Sequence, residues 1–526
     1  MTVSSETSHQ DRRIRSRVAS FVGLVAVFFI ADKILGVVRD LLVGRAFGAS
    51  AELDAYYAAF ELPDLLFTVV AGSAMATALI PVLSARIAKD DSESTWRLVS
   101  AVVNWALLIV ALISIVAAFF APQIIRLVAR GFDAEQVALG ARLMRLVLLQ
   151  TLISSVSGIL MSVLQAHQSF LFPAMAPLSY TLGRILGLQL LAPQLGVFGL
   201  AWGGVAGTVG HLLIQLYGLS RHRPRWRAVL RHPDLRPLVR LMGPRVLGLG
   251  ATYINFVLPT VFGSFLFDGA ISSYEYAWRL MQFPETIIGT TLGLTVFPTL
   301  AEIANAGDRD QLRRTTSWAL RLVLALAVPA AVGLVVLGRP LTALLFQRGE
   351  FGETATTWVY MALRFLSIGL VAHSALEVVS RLFYARRDMW TPLWAALGGL
   401  LTNVAAGALL LPLLSHQAIA VGNSLGVLLQ VVWLALVAVR RMEAIELGRV
   451  VDSLWRIGLA SAVMGGLVLG FRALPFASGP LIGGLGGLVI GALGYLAVAL
   501  LVRVEAIGDL LSELWSWVKP LIDHMD

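Results

Sequence analysis

The chain has 526 residues, of which 57% are hydrophobic and only 14% are charged, and its mean hydropathy is +0.79. Soluble domains carry about a quarter of charged residues, so a soluble enzyme with one aqueous face is excluded. Because an apolar helix needs roughly 20 residues to cross a bilayer, this length allows a dozen or more crossings. Cysteine is absent, which excludes disulfides and thiolate metal sites. The formal charge of +9 indicates membrane topology and lipid attraction rather than nucleic acid binding.

Apolar stretches predict an all-α polytopic membrane protein with about fourteen transmembrane helices. In chain order they fall near residues 18–44, 54–84, 97–121, 135–165, 172–192, 197–219, 238–267, 273–303, 314–337, 355–384, 390–413, 417–439, 450–471 and 480–503. A last segment, 505–518, has Leu510, Leu511, Leu514 and Trp515 on one side. This pattern predicts an amphipathic helix at the membrane interface.

Basic residues in the loops predict the orientation. One set of loops carries most of them, including seven arginines between residues 221 and 240. The other set carries only Arg45, Arg126, Arg130, Arg339, Arg348 and Arg472. This bias predicts that both termini are cytoplasmic.

The sequence also repeats itself. Residues 54–63 (DAYYAAFELP) align with 275–284 (EYAWRLMQFP) at an offset of 221, and 165–173 align with 384–392 at an offset of 219. The unit contains six predicted helices, an even number, so both copies should have the same orientation. This predicts two parallel six-helix lobes with a substrate site between them, plus two C-terminal helices.

The repeat and the arginine-rich stretch together define the predicted domains. They are an N-lobe at 1–220, a basic cytoplasmic linker at 221–240, a C-lobe at 241–440, and a C-terminal part at 441–526 with two helices and an amphipathic cytoplasmic tail.

Several predicted helices contain charged residues, which at bilayer depth usually face a cavity or a partner. The candidate positions are Asp32, Lys33, Arg39, Asp40, Asp54, Glu61, Glu275 and Arg279. One hypothesis is a water-filled cavity whose arginines bind a polyanionic headgroup such as a pyrophosphate, because guanidinium groups match phosphate geometry. The alternative is a set of ion pairs that fix helix packing.

Two further patterns have structural interpretations. His373, Glu377 and Arg381 follow i, i+4, i+8 spacing, which fits a proton or cation relay, although a buried packing pair is the favoured account. Glycines at small-xxx-small spacing predict close helix packing. They are Gly199, Gly203 and Gly207, and Gly483, Gly487 and Gly491.

Motifs for enzyme chemistry are not prominent. The chain has no G-x-x-x-x-G-K-[ST] loop and no H-E-x-x-H motif, and its eight histidines are scattered. No paired nucleophile and base is evident among the intramembrane charges. Transport without a cofactor is therefore favoured over catalysis.

Residues 32–40 (DKILGVVRD) resemble the S-R-x-x-G-x-x-R-D signature of the bacterial lipid II flippases, the MurJ/MviN family. The resemblance continues through most of the first twelve predicted helices. The similar segments are 47–49 (FGA), 54–56 (DAY), 62–66 (LPDLL), 276–284 (YAWRLMQFP), 345–351 (LFQRGEF) and 383–392 (FYARRDMWTP).

The resemblance implies a V-shaped two-lobed fold of the multidrug/oligosaccharidyl-lipid/polysaccharide exporter superfamily. It implies alternating access and the flipping of undecaprenyl-pyrophosphate-linked disaccharide-pentapeptide to the outer leaflet of the bacterial cytoplasmic membrane. By position, Arg39, Asp40 and Arg279 would bind the diphosphate, and Lys33 keeps the charge where the family has arginine. Further cavity or gating residues would be Asp32, Asp54, Glu61 and Glu275.

Two departures from the family keep other functions open. After Leu66, residues 67–68 (FT) and 71–73 (AGS) stand where the family has an arginine pair and A-E-G. Some relatives bind sodium through acids on two helices. At the corresponding places this chain has Asn403, a possible remnant of an ion site, and no acid between residues 255 and 265. A coupling cation is thus an open expectation. The alternatives are a flippase for another polyprenyl-linked glycan, such as capsule or exopolysaccharide, and a non-transporting scaffold of a cell-wall complex.

Overall fold

A computed structural model of the chain describes residues 25, 27–70, 73–477 and 479–523. Helices joined by short connections make up this described part, which contains no strand. The all-α prediction is therefore confirmed. The predicted start of the first helix at residue 18 and the departure at residues 71–72 lie outside the described residues.

The segment Met1–Tyr253 forms one compact unit. Its helices are α1 (27–47), α2 (Ala51–Val70), α3 (Ser73–Ile87), α4 (Ser92–Phe119), α5 (Ala121–Val128), α6 (Ala134–Ala166), α7 (Leu171–Leu186), α8 (Ala192–Leu195), α9 (Val197–Ser220) and most of α10 (Leu235–Gly263). A π-helical turn, Gly187–Leu191, joins α7 to α8. The core lies between α3, α4 and α6, around Leu79, Trp96 and Leu160.

The segment Ile254–Asp526 forms a second compact unit. Its helices are α11 (Ala270–Glu285), α12 (Thr291–Ala306), α13 (Arg309–Phe346), α14 (Glu353–Ala385), α15 (Trp390–Leu414), α16 (Gln417–Arg440), α17 (Leu447–Arg472), α18 (Gly487–Leu501) and α19 (Glu505–Asp523). The core centres on α13 and α14, with Val323, Val379 and Phe383 fully buried.

Within the described part, ten helical stretches are long and apolar enough to cross a membrane. In each of the fourteen predicted spans most of the described residues are helical, which is consistent with about fourteen crossings. The predicted boundaries are less accurate. The span predicted to end at 337 continues to Phe346, because the helix runs on through Arg339 and Pro340.

Helix starts explain part of this difference. Asp91 accepts a hydrogen bond from the Ser94 backbone N–H, so α4 begins at Ser92 rather than at the first apolar residue. Asp133 and Gln136 form a capping box at the start of α6. Such side chains satisfy N–H groups that have no partner within the helix.

Helices in the two units start at a constant offset. The helices α2 and α11 begin at residues 51 and 270, α6 and α14 at 134 and 353, and α7 and α15 at 171 and 390, which are 219 positions apart in each case. Since α6 and α14 are also both 33 residues long, the repeat seen in the sequence recurs in the helix bounds.

Glycines bring α7 and α9 into backbone contact. A Cβ atom added at Gly187 would lie 2.4 Å from the Gly203 Cα atom, and one added at Gly183 would lie 2.4 Å from the Gly207 Cα atom. In α18, a Cβ atom at Gly487 would lie 2.7 Å from the Leu337 side chain. The packing role predicted for these glycines is confirmed.

The arginine-rich stretch is held against α4. Its residues 221–234, here called the basic strap, run in extended form beside the helix. The Asn104 side chain donates to the carbonyls of Arg227 and Val229, each at 3.0 Å, and the Trp105 indole donates to the carbonyl of Leu230 at 2.8 Å. The sequence prediction of a linker did not anticipate these contacts.

Charged and aromatic side chains fasten the two ends of the basic strap. Arg86 forms an ion pair with Asp234, with its Nε atom 2.7 Å from Oδ2. The His167 ring stacks on the His222 ring at 4.3 Å. Burial lowers the pKa of His167 to about 4, so this ring is neutral at pH 7 and the stack carries no charge repulsion from it.

Replacing Arg86 by glutamine should release the Asp234 end of the basic strap. We expect limited trypsin digestion to cut after Arg225, Arg227 and Arg231 several-fold faster than in the wild type, because an extended segment freed from its anchor fits a protease cleft. The change Arg97→Gln removes a neighbouring exposed arginine and serves as control. Equal digestion rates in all three proteins would contradict the anchoring role.

Candidate functional site

The charged side chains of α1 contact groups within the first unit. The Arg39 guanidinium donates to Asp40 Oδ1, at 3.0 Å from Nε and 2.8 Å from Nη2, and both side chains are less than a fifth exposed. Thr181 of α7 donates to Asp32 Oδ1 at 2.8 Å. Lys33 is exposed, with its Nζ atom 5.4 Å from the Phe29 ring centroid.

A second arginine in this unit lies among aromatic rings. Arg184 of α7 donates from Nη2 to the Tyr56 hydroxyl at 2.7 Å. Its guanidinium carbon is 4.7, 5.1 and 5.8 Å from the ring centroids of Tyr180, Phe60 and Tyr56. Helices α1, α2 and α7 thus build one cationic cluster, which we call the first cluster.

The sequence analysis gave Arg184 no role. The available signals were its own position inside the predicted span 172–192 and the spacing of Tyr56 and Phe60, which lie one turn apart on α2 and present their rings to the same side. Only the packing of α7 shows which cation these rings receive, because cation–π contacts depend on tertiary structure.

The acids of α2 differ in burial. Asp54 is 2% exposed, whereas the sequence analysis proposed it as a residue of a water-filled cavity or gate. Glu61 is half-buried, and its backbone carbonyl accepts a hydrogen bond from the Tyr253 hydroxyl. Their role in a cavity or gate stays a prediction.

In the second unit, α11 holds the predicted residues Glu275 and Arg279. Glu275 Oε2 lies 3.9 Å from Arg279 Nη2, one helical turn away, and both side chains are 28% exposed. The Trp278 ring between them contacts the His373 ring of α14 at 5.4 Å. These residues form a second group of predicted site residues, here called the second cluster.

The predicted triplet on α14 is divided between two partners. His373 Nε2 is 3.1 Å from Asn423 Oδ1, whereas Arg381 donates to Glu377 Oε2 at 2.7 Å. His373 therefore contacts α16, and the other two form an ion pair one turn apart. The packing interpretation therefore applies to His373, whereas Glu377 and Arg381 form an ion pair within α14.

Asn403, the residue predicted as the remnant of an ion site, has an amide side chain as its partner. Asn403 Nδ2 donates to Asn255 Oδ1 at 3.1 Å, and Asn403 is 5% exposed. Among the residues that the structure describes, no three His, Cys, Asp or Glu side chains form a group suited to a metal ion. The assignment of a cation site at Asn403 stays a prediction.

Ser424 lies at the centre of residues 422–426 (GNSLG), which match the G-x-S-x-G pattern of hydrolase nucleophile elbows. The segment lies inside α16, and the Ser424 hydroxyl donates to the Phe365 carbonyl at 2.9 Å. A nucleophile elbow requires a strand followed by a sharp turn and a helix, so this match carries no catalytic role.

Apolar spans that carry arginine clusters at bilayer depth are typical of polytopic membrane transporters. A family model described as lipid II flippase MurJ matches residues 43–479. The chain belongs to this family.

Curated relatives agree with the family model. The chain is 31% identical over 416 residues to the lipid II flippase MurJ of Burkholderia cenocepacia, which covers 76% of this chain and 80% of the relative. It is 28% identical over 421 residues to the probable lipid II flippase MurJ of Rickettsia prowazekii, with coverage of 77% and 80%.

Solved structures share the fold. A lipid II flippase MurJ in an inward closed conformation superposes with a TM-score of 0.79 at 23% identity, covering 91% of this chain and 99% of that one. An inward-facing multidrug resistance MATE family transporter of the MOP superfamily gives a TM-score of 0.64 at 15% identity, covering 78% and 95%. These likenesses support the fold alone.

Proposed function

We propose that this protein is a flippase that moves lipid II from the inner to the outer leaflet of the bacterial cytoplasmic membrane by alternating access. The observation that carries the proposal is the presence of partly buried arginines on α1 and α11 in a chain of the lipid II flippase MurJ family. The two lobes would be parallel, both termini would be cytoplasmic, and the glycopeptide headgroup would cross a hydrated cavity between the lobes.

Arg39, Arg279 and Lys33 would bind the diphosphate. Each arginine has an acid on its own helix, Asp40 and Glu275, that stabilises the guanidinium before substrate arrives. A diphosphate offers more acceptor oxygens than the single carboxylate of each pair. Hydrogen bonds to a charged phosphate contribute roughly 1.5–3 kcal/mol, so the diphosphate would displace the acid.

Arg184 and the other predicted acids would support this site. The rings of Tyr56, Phe60 and Tyr180 fix Arg184 near Arg39, where its charge adds to the attraction for a polyanion. Asp32, Asp54 and Glu61 would balance these cations in the empty state and gate the cavity. Such balance keeps the cost of intramembrane charge low in the absence of substrate.

A second candidate substrate follows from α2. Phe67 and Thr68 stand in place of an arginine pair, so α2 offers less positive charge there than the family resemblance implies. A polyprenyl-linked glycan of capsule or exopolysaccharide type would then be the cargo of the same machinery.

A flipping assay with purified protein in proteoliposomes tests the proposal. We expect fluorescent lipid II in the outer leaflet to become protected from a membrane-impermeant quencher, at a rate at least tenfold above that of empty liposomes. A polyprenyl-pyrophosphate carrying an unrelated glycan is the comparison. Faster movement of that glycan favours the second candidate, and no movement of either lipid favours a scaffold.

A further inference from the structure

A third charged group lies where α11 meets α14. The helix α11 ends at Glu285, a π-helical turn Thr286–Thr290 follows, and α12 continues the span. A Cβ atom at Gly289 would lie 2.7 Å from Ser374 Cα and 3.1 Å from Glu285 Oε1. A Cβ atom at Gly293 would lie 3.2 Å from Glu377 Cβ. Only glycine permits this approach, which brings the Glu285 carboxylate to the Glu377 face of α14.

The charges at this contact do not balance. Glu377 is paired with Arg381 at 2.7 Å, whereas the hydrogen-bond donors to Glu285 are the neutral hydroxyl groups of Thr290, at 3.3 Å, and of Thr286. Gly289 packs on Ser374 and Gly293 packs on Glu377, one turn further along α14, so the Glu285 carboxylate lies beside the helix face that carries Glu377. Two carboxylates facing one guanidinium leave one negative charge inside a membrane span, which is costly, and two close carboxylates do not both ionise readily.

Among the side chains that the structure describes, the cations near this contact have acidic partners of their own. The helix α13 also packs against the turn, but its buried Arg321 is paired with Glu505. On α14, His373 bonds to Asn423, and Tyr384 is the remaining titratable neighbour of Glu377. Two groups of α11 near this span, Glu275 and Arg279, form their own pair.

A buried hydroxyl group next to Glu285 has no partner of its own. Ser374 is fully buried, and within the described part of the chain its Oγ atom makes no hydrogen bond. A Cβ atom added at Gly289 would lie 3.1 Å from the Ser374 Cβ atom and 3.1 Å from Glu285 Oε1, so the two side chains are close neighbours. A hydroxyl at this position can accept a hydrogen bond from a protonated carboxyl group directly or through one water. π-helical turns are also frequent at functional sites.

We propose that Glu285 and Glu377 together hold one exchangeable proton, and that its uptake from one side and release to the other drive the conformational cycle. The coupling rests on the proposed flippase function, whereas the proton site does not. A proton is favoured over a metal cation because Arg381 would repel a cation bound at Glu377. Among the residues that the structure describes, no third His, Cys, Asp or Glu joins the two acids to form a group suited to a metal ion.

Infrared spectroscopy tests the proton site without any transport. Purified protein in phosphatidylcholine vesicles should give a protonated-carboxyl band that disappears as pH rises. The band should be lost in Glu285→Gln and in Glu377→Gln, since either change leaves one carboxylate for one guanidinium. It should grow in Arg381→Gln, which leaves two carboxylates without a cation. Glu302→Gln, at an exposed acid of α12, should keep the wild-type band.

The infrared result has clear contrary outcomes. A band that persists unchanged in both glutamate variants, or that is absent from the wild type, overturns the proton site. Monodisperse elution of each variant shows that the amide substitutions have not unfolded the protein.

A gradient experiment tests the coupling. With the membrane potential clamped to zero, an imposed pH gradient should accelerate wild-type flipping of fluorescent lipid II several-fold, and a sodium gradient should not. Glu285→Gln should flip at one rate with or without the pH gradient, whereas Glu302→Gln should respond like the wild type. Acceleration by sodium, or an undiminished pH response in Glu285→Gln, overturns the coupling. A wild type that flips nothing contradicts the flippase function, while the infrared measurement still decides the proton site.

Discussion

Cells depleted of their own lipid II flippase should not be rescued by this protein when Arg279 is replaced by alanine, and the same holds for Arg39. Each change removes a guanidinium that would bind the diphosphate, and the loss of hydrogen bonds to a charged group costs roughly 1.5–3 kcal/mol. That corresponds to a roughly 10- to 100-fold lower flux, because each 1.4 kcal/mol is a factor of ten. Colony formation under depletion measures the rescue.

Matched variants distinguish a loss of diphosphate recognition from a loss of positive charge and from a loss of folding. Arg279→Lys keeps the charge but loses the planar fork, so partial rescue is expected. Arg126→Ala removes an exposed arginine of α5 and should rescue fully. Immunoblots of membrane fractions must show equal amounts of each protein. Full rescue by both Arg39→Ala and Arg279→Ala would refute the assigned diphosphate site.

The second large effect concerns stability. Gly187→Ala should lower the thermal unfolding midpoint markedly, because its Cβ atom would lie 2.4 Å from the Gly203 Cα atom and 2.5 Å from the Gly199 carbonyl oxygen. Backbone atoms cannot rotate away as a side chain can, so α7 and α9 must move apart. Overpacking of this kind costs about 1–3 kcal/mol or more. Differential scanning fluorimetry in detergent measures the change.

The control uses a glycine with free space around it. A Cβ atom at Gly458 of α17 would have nothing within 4 Å. Gly458→Ala should therefore leave the midpoint unchanged or raise it, since alanine favours helix by about 1 kcal/mol over glycine. If Gly187→Ala melts no lower than Gly458→Ala, the close contact of α7 and α9 is not a source of stability.

Hydropathy and small-residue spacing predicted much of the fold from the sequence. Lipid selects apolar stretches directly, so the fourteen spans could be located, and the spacing of Gly199, Gly203 and Gly207 already indicated a packed face. Boundaries were less predictable, because Asp91 extends α4 beyond its apolar part and Pro340 does not end α13.

The candidate site was only partly predictable. The sequence analysis named Arg39 and Asp40 as candidate site residues of one helix, and the structure pairs them. The aromatic surroundings of Arg184 and the approach of Glu285 to Glu377 depend on which helices are neighbours and where a π-helical turn shifts the register. The residue pattern along a single helix does not show which helices are neighbours or where such a turn occurs.

The contacts of the basic strap have a practical consequence for experiments that modify the chain. The stretch 221–234 has the composition of an accommodating surface loop and would ordinarily be chosen for an epitope tag or a fluorescent reporter. An insertion beside Leu230 would instead displace a carbonyl that Trp105 holds at 2.8 Å. The turn around Gly307, where an added Cβ atom would meet nothing within 4 Å, offers a less intrusive position for such probes.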